Sequence, residues 1–121
     1  SDSYKNGVFT VELVDENIFE WQVELYKFDP ESSLHKSLQK LKEQGKKDHV
    51  TLRLSYPDNY PFAPPSVVVK YPLLSHSSLW TGSQGQNICV DLLKRRFWYS
   101  AYTIEPIILN LASFLSSAIA Y

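Results

Sequence analysis

The sequence predicts an α+β fold in which a four-stranded antiparallel meander sheet packs on a long central helix. The first half of the chain alternates apolar and polar residues in short runs, which is the pattern of half-buried strands. Residues 103–119 instead carry an apolar stripe with a helical period. Strands that come first and a helix that comes last are typical of α+β domains. The length of 121 residues is that of one domain, which we expect to comprise residues 1–121.

The four strands are predicted from runs of β-branched and apolar residues, two of them with period-two alternation, and from the turn residues that bound them. Val8–Val14 ends at the turn-forming Asp15–Asn17, and Ile18–Phe28 then forms the second arm of a hairpin. His49–Tyr56 and Ser66–Tyr71 follow as the third and fourth strands. The loop between these last two strands is rich in proline, which restricts the backbone, so we expect it to be rigid.

Two helices and one irregular segment complete the predicted organisation. Ser32–Gly45 carries leucines with helical spacing, and its lysines form a solvated face, with a docking patch as the alternative interpretation. The final helix begins at Thr103 as its cap, and its stripe runs to Ile119. Pro72–Asn87 has no sustained period and is predicted to be irregular.

Composition excludes several classes of function. With 12 basic and 13 acidic residues the net charge is −1, which argues against electrostatic binding to nucleic acid or to a membrane. One cysteine cannot form an internal disulfide or a thiolate zinc cage, and three scattered histidines lack metal-ligand spacing. We therefore expect no metal and a reducing compartment, the cytoplasm or the nucleus. We also expect a monomer, and the start at Ser1 without methionine predicts a piece cut from a longer protein.

Cys89 is the candidate nucleophile. A free cysteine is most often a buried apolar residue, and that interpretation competes with a reactive thiol here. Its position after a long segment of Ser, Gly and amide residues favours reactivity. A cysteine hydrolase would also need a histidine base, and His76 is the histidine that lies in the loop before Cys89.

Three motifs in order resemble the catalytic core of ubiquitin-conjugating (E2) enzymes. They are Tyr60-Pro61-Phe62-Ala63-Pro64-Pro65, Ile88-Cys89-Val90-Asp91-Leu92-Leu93 and Trp98-Tyr99-Ser100-Ala101-Tyr102-Thr103-Ile104. The resemblance covers about residues 7–119 and implies the UBC-like fold, truncated at both ends because the family's first helix and its C-terminal helices are absent. The Ser32–Gly45 insertion and the nine-residue step from Cys89 to Trp98 are most similar to the Q-type branch.

The resemblance implies a function for these residues. Cys89 would accept ubiquitin from the activating enzyme (E1) as a thioester and pass it to a substrate amine, usually with an E3 ligase. No cofactor is implied, since the ATP is used by E1. Phe62, Tyr99, Ser100 and Ala101 correspond to the surface that the family presents to E3 ligases.

The chain departs from most of the family at one motif. The usual His-Pro-Asn before the cysteine is missing, as it is in Q-type members, and Leu79-Trp80-Thr81 stands near that place. Loss of one oxyanion donor costs about 10²–10³ in rate in other enzymes. Asn87 and His76 are the candidates to support the loop and the oxyanion, with Gln84 and Gln86 as further ones. The alternative is a catalytically inactive E2 variant or an RWD-like interaction module.

Overall fold

The computed structural model describes residues 6–89, Leu93 and residues 104–121. The strands are β1 (Phe9–Val14), β2 (Asn17–Leu25), β3 (Val50–Ser55), β4 (Ser66–Tyr71), β5 (Leu74–Ser75), β6 (Leu79–Gly82), β7 (Gly85–Ile88) and β8 (Ile119–Ala120). The helices are α1 (Ser33–Glu43) and α2 (Ile104–Leu115). Neither helix of this described part combines the length and the hydropathy that a membrane span requires.

The predicted meander is confirmed. Strands β1 to β4 are antiparallel neighbours in chain order, and the sheet continues through β7 to β6. Alternation buries one face of the central strands, as in β3, where Val50, Leu52 and Leu54 are buried and the residues between them are half-exposed. The α+β class follows from this sheet and the helices that cover its apolar face.

The prediction that residues 72–87 are irregular was wrong, because this segment contains β5, β6 and β7. These strands are short, and their central side chains, such as Gln86 and Asn87, are polar and half-exposed. They therefore lack the apolar alternation by which strands are recognised. β6 and β7 form a hairpin that pairs with β4 through Val68 and Val69.

The core lies between the sheet and the two helices. Its buried apolar side chains come from every layer: Phe9, Val23, Leu25, Leu34, Leu38, Leu41, Val50, Leu52, Leu54, Val67, Val69, Leu74, Ile88, Ile107, Ile108, Leu111, Leu115, Ala118 and Ala120. Because α1 contributes three buried leucines, the predicted amphipathic helix is an integral part of the core, and its lysines remain exposed.

The predicted C-terminal helix ends earlier than its apolar stripe indicates. α2 ends at Leu115, and the N–H of Ala118 donates to the Leu115 carbonyl in a turn. Ile119 then lies in β8, opposite Ser75 of β5, and is 48% exposed. The helical spacing of Ile119 is therefore coincidental, since a turn separates it from the helix.

Helix α1 is tied to the end of the chain by two serines. The Ser33 hydroxyl lies 3.2 Å from the Ser116 carbonyl and 3.0 Å from the Ala118 carbonyl. The buried Ser37 hydroxyl donates to the Leu34 carbonyl (3.0 Å) and accepts the Ala120 N–H (2.8 Å). Because a hydroxyl both donates and accepts, Ser37 satisfies a buried backbone N–H of β8 and fixes this strand on α1.

We expect Ser37→Ala to lower the free energy of unfolding by about 1–3 kcal/mol, because it leaves the buried Ala120 N–H without an acceptor. Urea unfolding followed by circular dichroism measures the change. Ser116→Ala is the matched control, since its hydroxyl donates an exposed bond to the nearby Ser113 carbonyl, and should change stability by less than about 0.5 kcal/mol. Equal losses in the two variants would contradict the role assigned to Ser37.

Candidate functional site

Cys89 directly follows β7 and carries a free, exposed thiol. Its backbone N–H donates to the Ser78 carbonyl at 2.9 Å. This bond continues the β6–β7 ladder by one pair, since Leu79 already lies opposite Ile88. The backbone of Cys89 is therefore held while its sulfur is accessible, and the interpretation of Cys89 as a buried apolar residue is wrong for this structure.

His76 holds the segment whose backbone accepts the hydrogen bond from Cys89. Its Nδ1 accepts the Ser78 N–H (3.0 Å), and its Nε2 lies 3.0 Å from the Ser117 hydroxyl. The first bond requires an unprotonated Nδ1, so the neutral ring carries its hydrogen on Nε2 and donates it to Ser117. The ring also packs against Phe114 of α2, with 4.6 Å between ring centroids.

Both ring nitrogens of His76 are thus used in holding the loop. Within the described residues, neither nitrogen is bonded to Cys89. The connection is indirect: His76 fixes the N–H of Ser78, and the carbonyl of Ser78 fixes the N–H of Cys89. This geometry is that of a positioning residue rather than of a base that faces the sulfur.

Asn87 points its amide nitrogen away from Cys89. A Cβ built on Gly82 would lie 2.3 Å from the Asn87 Nδ2, so this group packs directly over that glycine. Gly82 is at the turn end of the hairpin, and Cys89 lies beyond the opposite end. In this conformation the Asn87 amide does not present its N–H groups to the sulfur.

The two glutamines have other partners. The Gln86 side chain donates to the Leu74 carbonyl and accepts the Leu74 N–H, both at 2.8 Å, and so binds β5 to the hairpin. The Gln84 backbone carbonyl accepts a hydrogen bond from the Lys70 ammonium at 2.5 Å, at the hairpin turn. Both residues support the hairpin. No local sequence pattern signals these contacts, because their partners lie on other strands.

Phe62 is the exposed tip of the proline-rich loop, with 77% of its surface accessible. Its N–H donates to the Asn59 carbonyl at 2.8 Å, which tightens the loop beneath the ring.

Two tyrosine rings pack together beside this loop: Tyr56 and Tyr60 meet edge to face, with 4.6 Å between ring centroids. Burial, with a smaller contribution from Tyr60, raises the pKa of Tyr56 to about 12. Tyr99, Ser100 and Ala101, predicted to share this surface, lie outside the described residues.

The chemistry that this site can perform centres on the thiol. No cluster of three or more potential metal ligands occurs in the part of the chain that the structure describes. An exposed thiol on a fixed backbone can attack a carbonyl that is already activated, because such a carbonyl needs little further help from acids or bases.

Comparisons with known proteins place this chain in a family. The family model described as ubiquitin-conjugating enzyme matches residues 1–120. Ubiquitin-conjugating enzyme E2 Q1 of human and of mouse is 42% identical over 115 residues, which are 95% of this chain and 26% of the relative. A Drosophila melanogaster protein named as a Q-like ubiquitin-conjugating enzyme is 40% identical over 89% of this chain and 33% of its own length. The chain therefore spans about a quarter to a third of these relatives.

Solved structures confirm the fold. Human ubiquitin-conjugating enzyme E2 G1 superposes with a TM-score of 0.65 at 21% identity, covering 95% of this chain and 86% of that one. A ubiquitin-conjugating enzyme of Plasmodium falciparum gives a TM-score of 0.68 at 24% identity, covering 98% and 78%. At these identities the two structures show that the architecture is shared.

We expect His76→Ala to speed amide hydrogen exchange at Cys89 by about fivefold, because the Ser78 segment loses its side-chain anchor. His76→Asn should have a smaller effect, since an Asn side-chain oxygen can still accept the Ser78 N–H in an Asx turn. Ser117→Ala removes only the partner of Nε2 and should fall between them. Unchanged exchange at Cys89 in all three variants would refute the coupling.

Proposed function

The chain belongs to the ubiquitin-conjugating enzyme family, in its Q-type branch, and we propose that it accepts ubiquitin from an activating enzyme as a thioester on Cys89 and transfers it to a substrate amine. The observation that carries the proposal is the exposed free thiol of Cys89, held by its backbone at the end of the β6–β7 hairpin. An exposed sulfur on an ordered backbone is what a covalent carrier of an acyl group requires.

The loading step exchanges one thioester for another. The Cys89 thiolate attacks the carbonyl carbon of the ubiquitin thioester on the activating enzyme. A new carbon–sulfur bond forms to Cys89, the old one breaks, and the departing thiolate of the activating enzyme takes up a proton from solvent in place of the one that Cys89 gave up. Because one thiol replaces another, the exchange needs no metal or cofactor at this site, and the ATP is consumed upstream by the activating enzyme.

The hydrogen bonds of His76 are compatible with this function. A cysteine protease needs an imidazole close to the sulfur and an orienting third group, whereas His76 uses both nitrogens on Ser78 and Ser117. A thioester substrate lowers that requirement, since it is reactive enough for an unassisted thiolate. The arrangement therefore favours acyl transfer from a thioester over hydrolysis of a peptide.

The competing function is a non-catalytic interaction module of the E2-variant type. The orientation of Asn87 favours it, because that amide, a candidate to support the oxyanion, turns toward Gly82. The accessibility of Cys89 favours the enzyme, because a module that only binds has no use for an exposed thiol. We therefore propose the enzyme, with ubiquitin, an activating enzyme and an E3 ligase as its partners.

We expect the full-length protein, incubated with activating enzyme, ATP and ubiquitin, to form an adduct that is lost under reducing conditions. Cys89→Ala should form none, and Cys89→Ser should form an ester that survives thiol reductants, because an oxygen then replaces the sulfur. Non-reducing and reducing gels run side by side measure all three. No adduct of the unmodified protein at saturating activating enzyme would exclude the catalytic function and leave the interaction module.

We expect Phe62→Ala to weaken binding to a cognate E3 ligase by about tenfold, because it removes an exposed aromatic anchor from a rigid loop. Charging of Cys89 should stay within about twofold of the unmodified protein. Titration calorimetry and the gel assay measure the two quantities. Leu73→Ala is the matched control, since Leu73 is also an exposed apolar residue but lies beside β5. Equal weakening by the two substitutions would rule out a specific contact at Phe62.

A further inference from the structure

We propose that Trp80 is a docking residue for the acceptor, and that its indole binds the aliphatic stem and the ammonium group of a lysine beside Cys89. This inference rests on the function proposed above and concerns its second step, the discharge of the thioester. The tryptophan is placed by the β6–β7 hairpin, which the irregular composition of this segment concealed.

The strand register places Trp80 near the nucleophile. Trp80 lies directly opposite Asn87 in the hairpin, and Ser78 is bonded to Cys89 one step further along the ladder. Side chains two residues apart on a strand share a face, so Asn87 and Cys89 project to the same side. Trp80 is then the diagonal cross-strand neighbour of Cys89, a separation of about 7–8 Å between Cα atoms that a side chain as long as tryptophan can span.

Trp80 is also unusually accessible. Its side chain is 53% exposed, although tryptophan is the largest apolar residue and is ordinarily well buried. Among the described residues it is not part of the buried apolar core or of the side chains packed against that core. Exposed tryptophans are common at the centres of binding sites. Its exposure beside an exposed thiol points to a ligand that reaches both.

A cavity of about 290 Å³ adjoins the indole. Its described lining is Pro64, Pro65, Ser66, Val67, Trp80, Asn87, Ile88 and Leu93. None of these described residues carries a charge, so none of them repels a cation. The groove on the other side of Asn87 is different, because charged side chains line it: Arg53 and Lys70, together with the carboxylate of Glu20.

This lining matches the two parts of a lysine side chain. Pro64 and Pro65 offer an apolar wall to its methylene groups, and the indole face attracts an ammonium that lies within about 6 Å of the ring. The side chain of Asn87, which also lines the cavity, supplies a polar group at the same wall. The cavity thus fits a long stem with a cationic end better than it fits an acidic or a purely apolar group.

The docked lysine then completes the transfer. Its ammonium loses one proton to solvent, and the nitrogen lone pair attacks the thioester carbonyl. The nitrogen–carbon bond forms, the carbon–sulfur bond to Cys89 breaks, and the second proton of the amine is released as the amide forms. Cys89 leaves as a thiolate and takes up a proton from solvent. Trp80 takes no part in these bonds and acts by positioning the amine.

The test follows discharge of the full-length protein, charged on Cys89 with fluorescent ubiquitin, by Nα-acetyl-lysine and in parallel by hydroxylamine. We expect Trp80→Ala to raise the KM for Nα-acetyl-lysine about two- to fivefold, with kcat changed less. Hydroxylamine has no stem and is uncharged at neutral pH, so its discharge rate should stay the same. Trp80→Phe should retain most of the lysine preference, and Trp80→Leu should lose it, because leucine has no π face.

Phe19→Ala is the matched control, since Phe19 is an exposed aromatic residue near the start of β2. It should discharge like the unmodified protein. The docking role is overturned if Trp80→Ala leaves the KM unchanged, if it slows hydroxylamine equally, or if Trp80→Leu keeps the lysine preference. If the unmodified protein fails to charge at all, the function proposed above fails instead.

A binding measurement tests the proposed docking site without requiring that Cys89 carry ubiquitin. The indole N–H signal of Trp80, assigned with Trp80→Phe, should shift in NMR spectra on addition of Nα-acetyl-lysine methylamide. The uncharged analogue Nα-acetyl-norleucine methylamide should shift it less, because it lacks the ammonium. Equal shifts with the two probes would show that the indole does not recognise the cation.

Discussion

The pairing of β7 with β4 is the constraint on which the position of Cys89 depends, and it requires glycine at residue 85. A Cβ at this position would lie 2.5 Å from the Val69 carbonyl oxygen, and the backbone φ of +138° is strained for any other residue. Gly85 therefore lets the hairpin approach β4 closely enough to form the ladder. The ladder carries β7 to Ile88, which is buried, and leaves Cys89 exposed directly after it.

The hairpin is also held from its other side, and those contacts connect the site to the core. Gln86 binds both backbone polar groups of Leu74, and β5 in turn pairs with β8 at the end of the chain. β8 is fixed on α1 through Ser37. The insertion that contains α1 thus stabilises the β5–β8 pair, to which the hairpin is bound through Gln86. A helix that looks peripheral in sequence supports Cys89 through two intervening strands.

The sequence could predict the parts of this arrangement that depend on local residue patterns, but not the parts that depend on contacts between distant residues. Apolar and β-branched runs, with alternation in two of them, identified β1 to β4, and prolines around Phe62 identified a rigid loop, because these signals are local. The hairpin escaped prediction because its contacts are made by glycine and amides, which carry no periodic pattern. Ile119 has helical spacing but pairs with Ser75, and only tertiary structure reveals that. His76 was found by its nearness to Cys89, whereas its partner Ser117 is 41 residues away.

These contacts bear on how a core of this family can dispense with the His-Pro-Asn motif. In most of the family the Asn side chain supports both the loop and the oxyanion, whereas here the loop is held by bonds to the backbone: His76 to Ser78, and Ser78 to Cys89. Asn87 is left to pack over Gly82 and to line the cavity next to Trp80. The two duties of one asparagine can therefore be separated. Loop support is met by His76 and the ladder. In the proposed function the substrate is a thioester, which requires less of an oxyanion donor than an amide does, because its carbonyl is already activated.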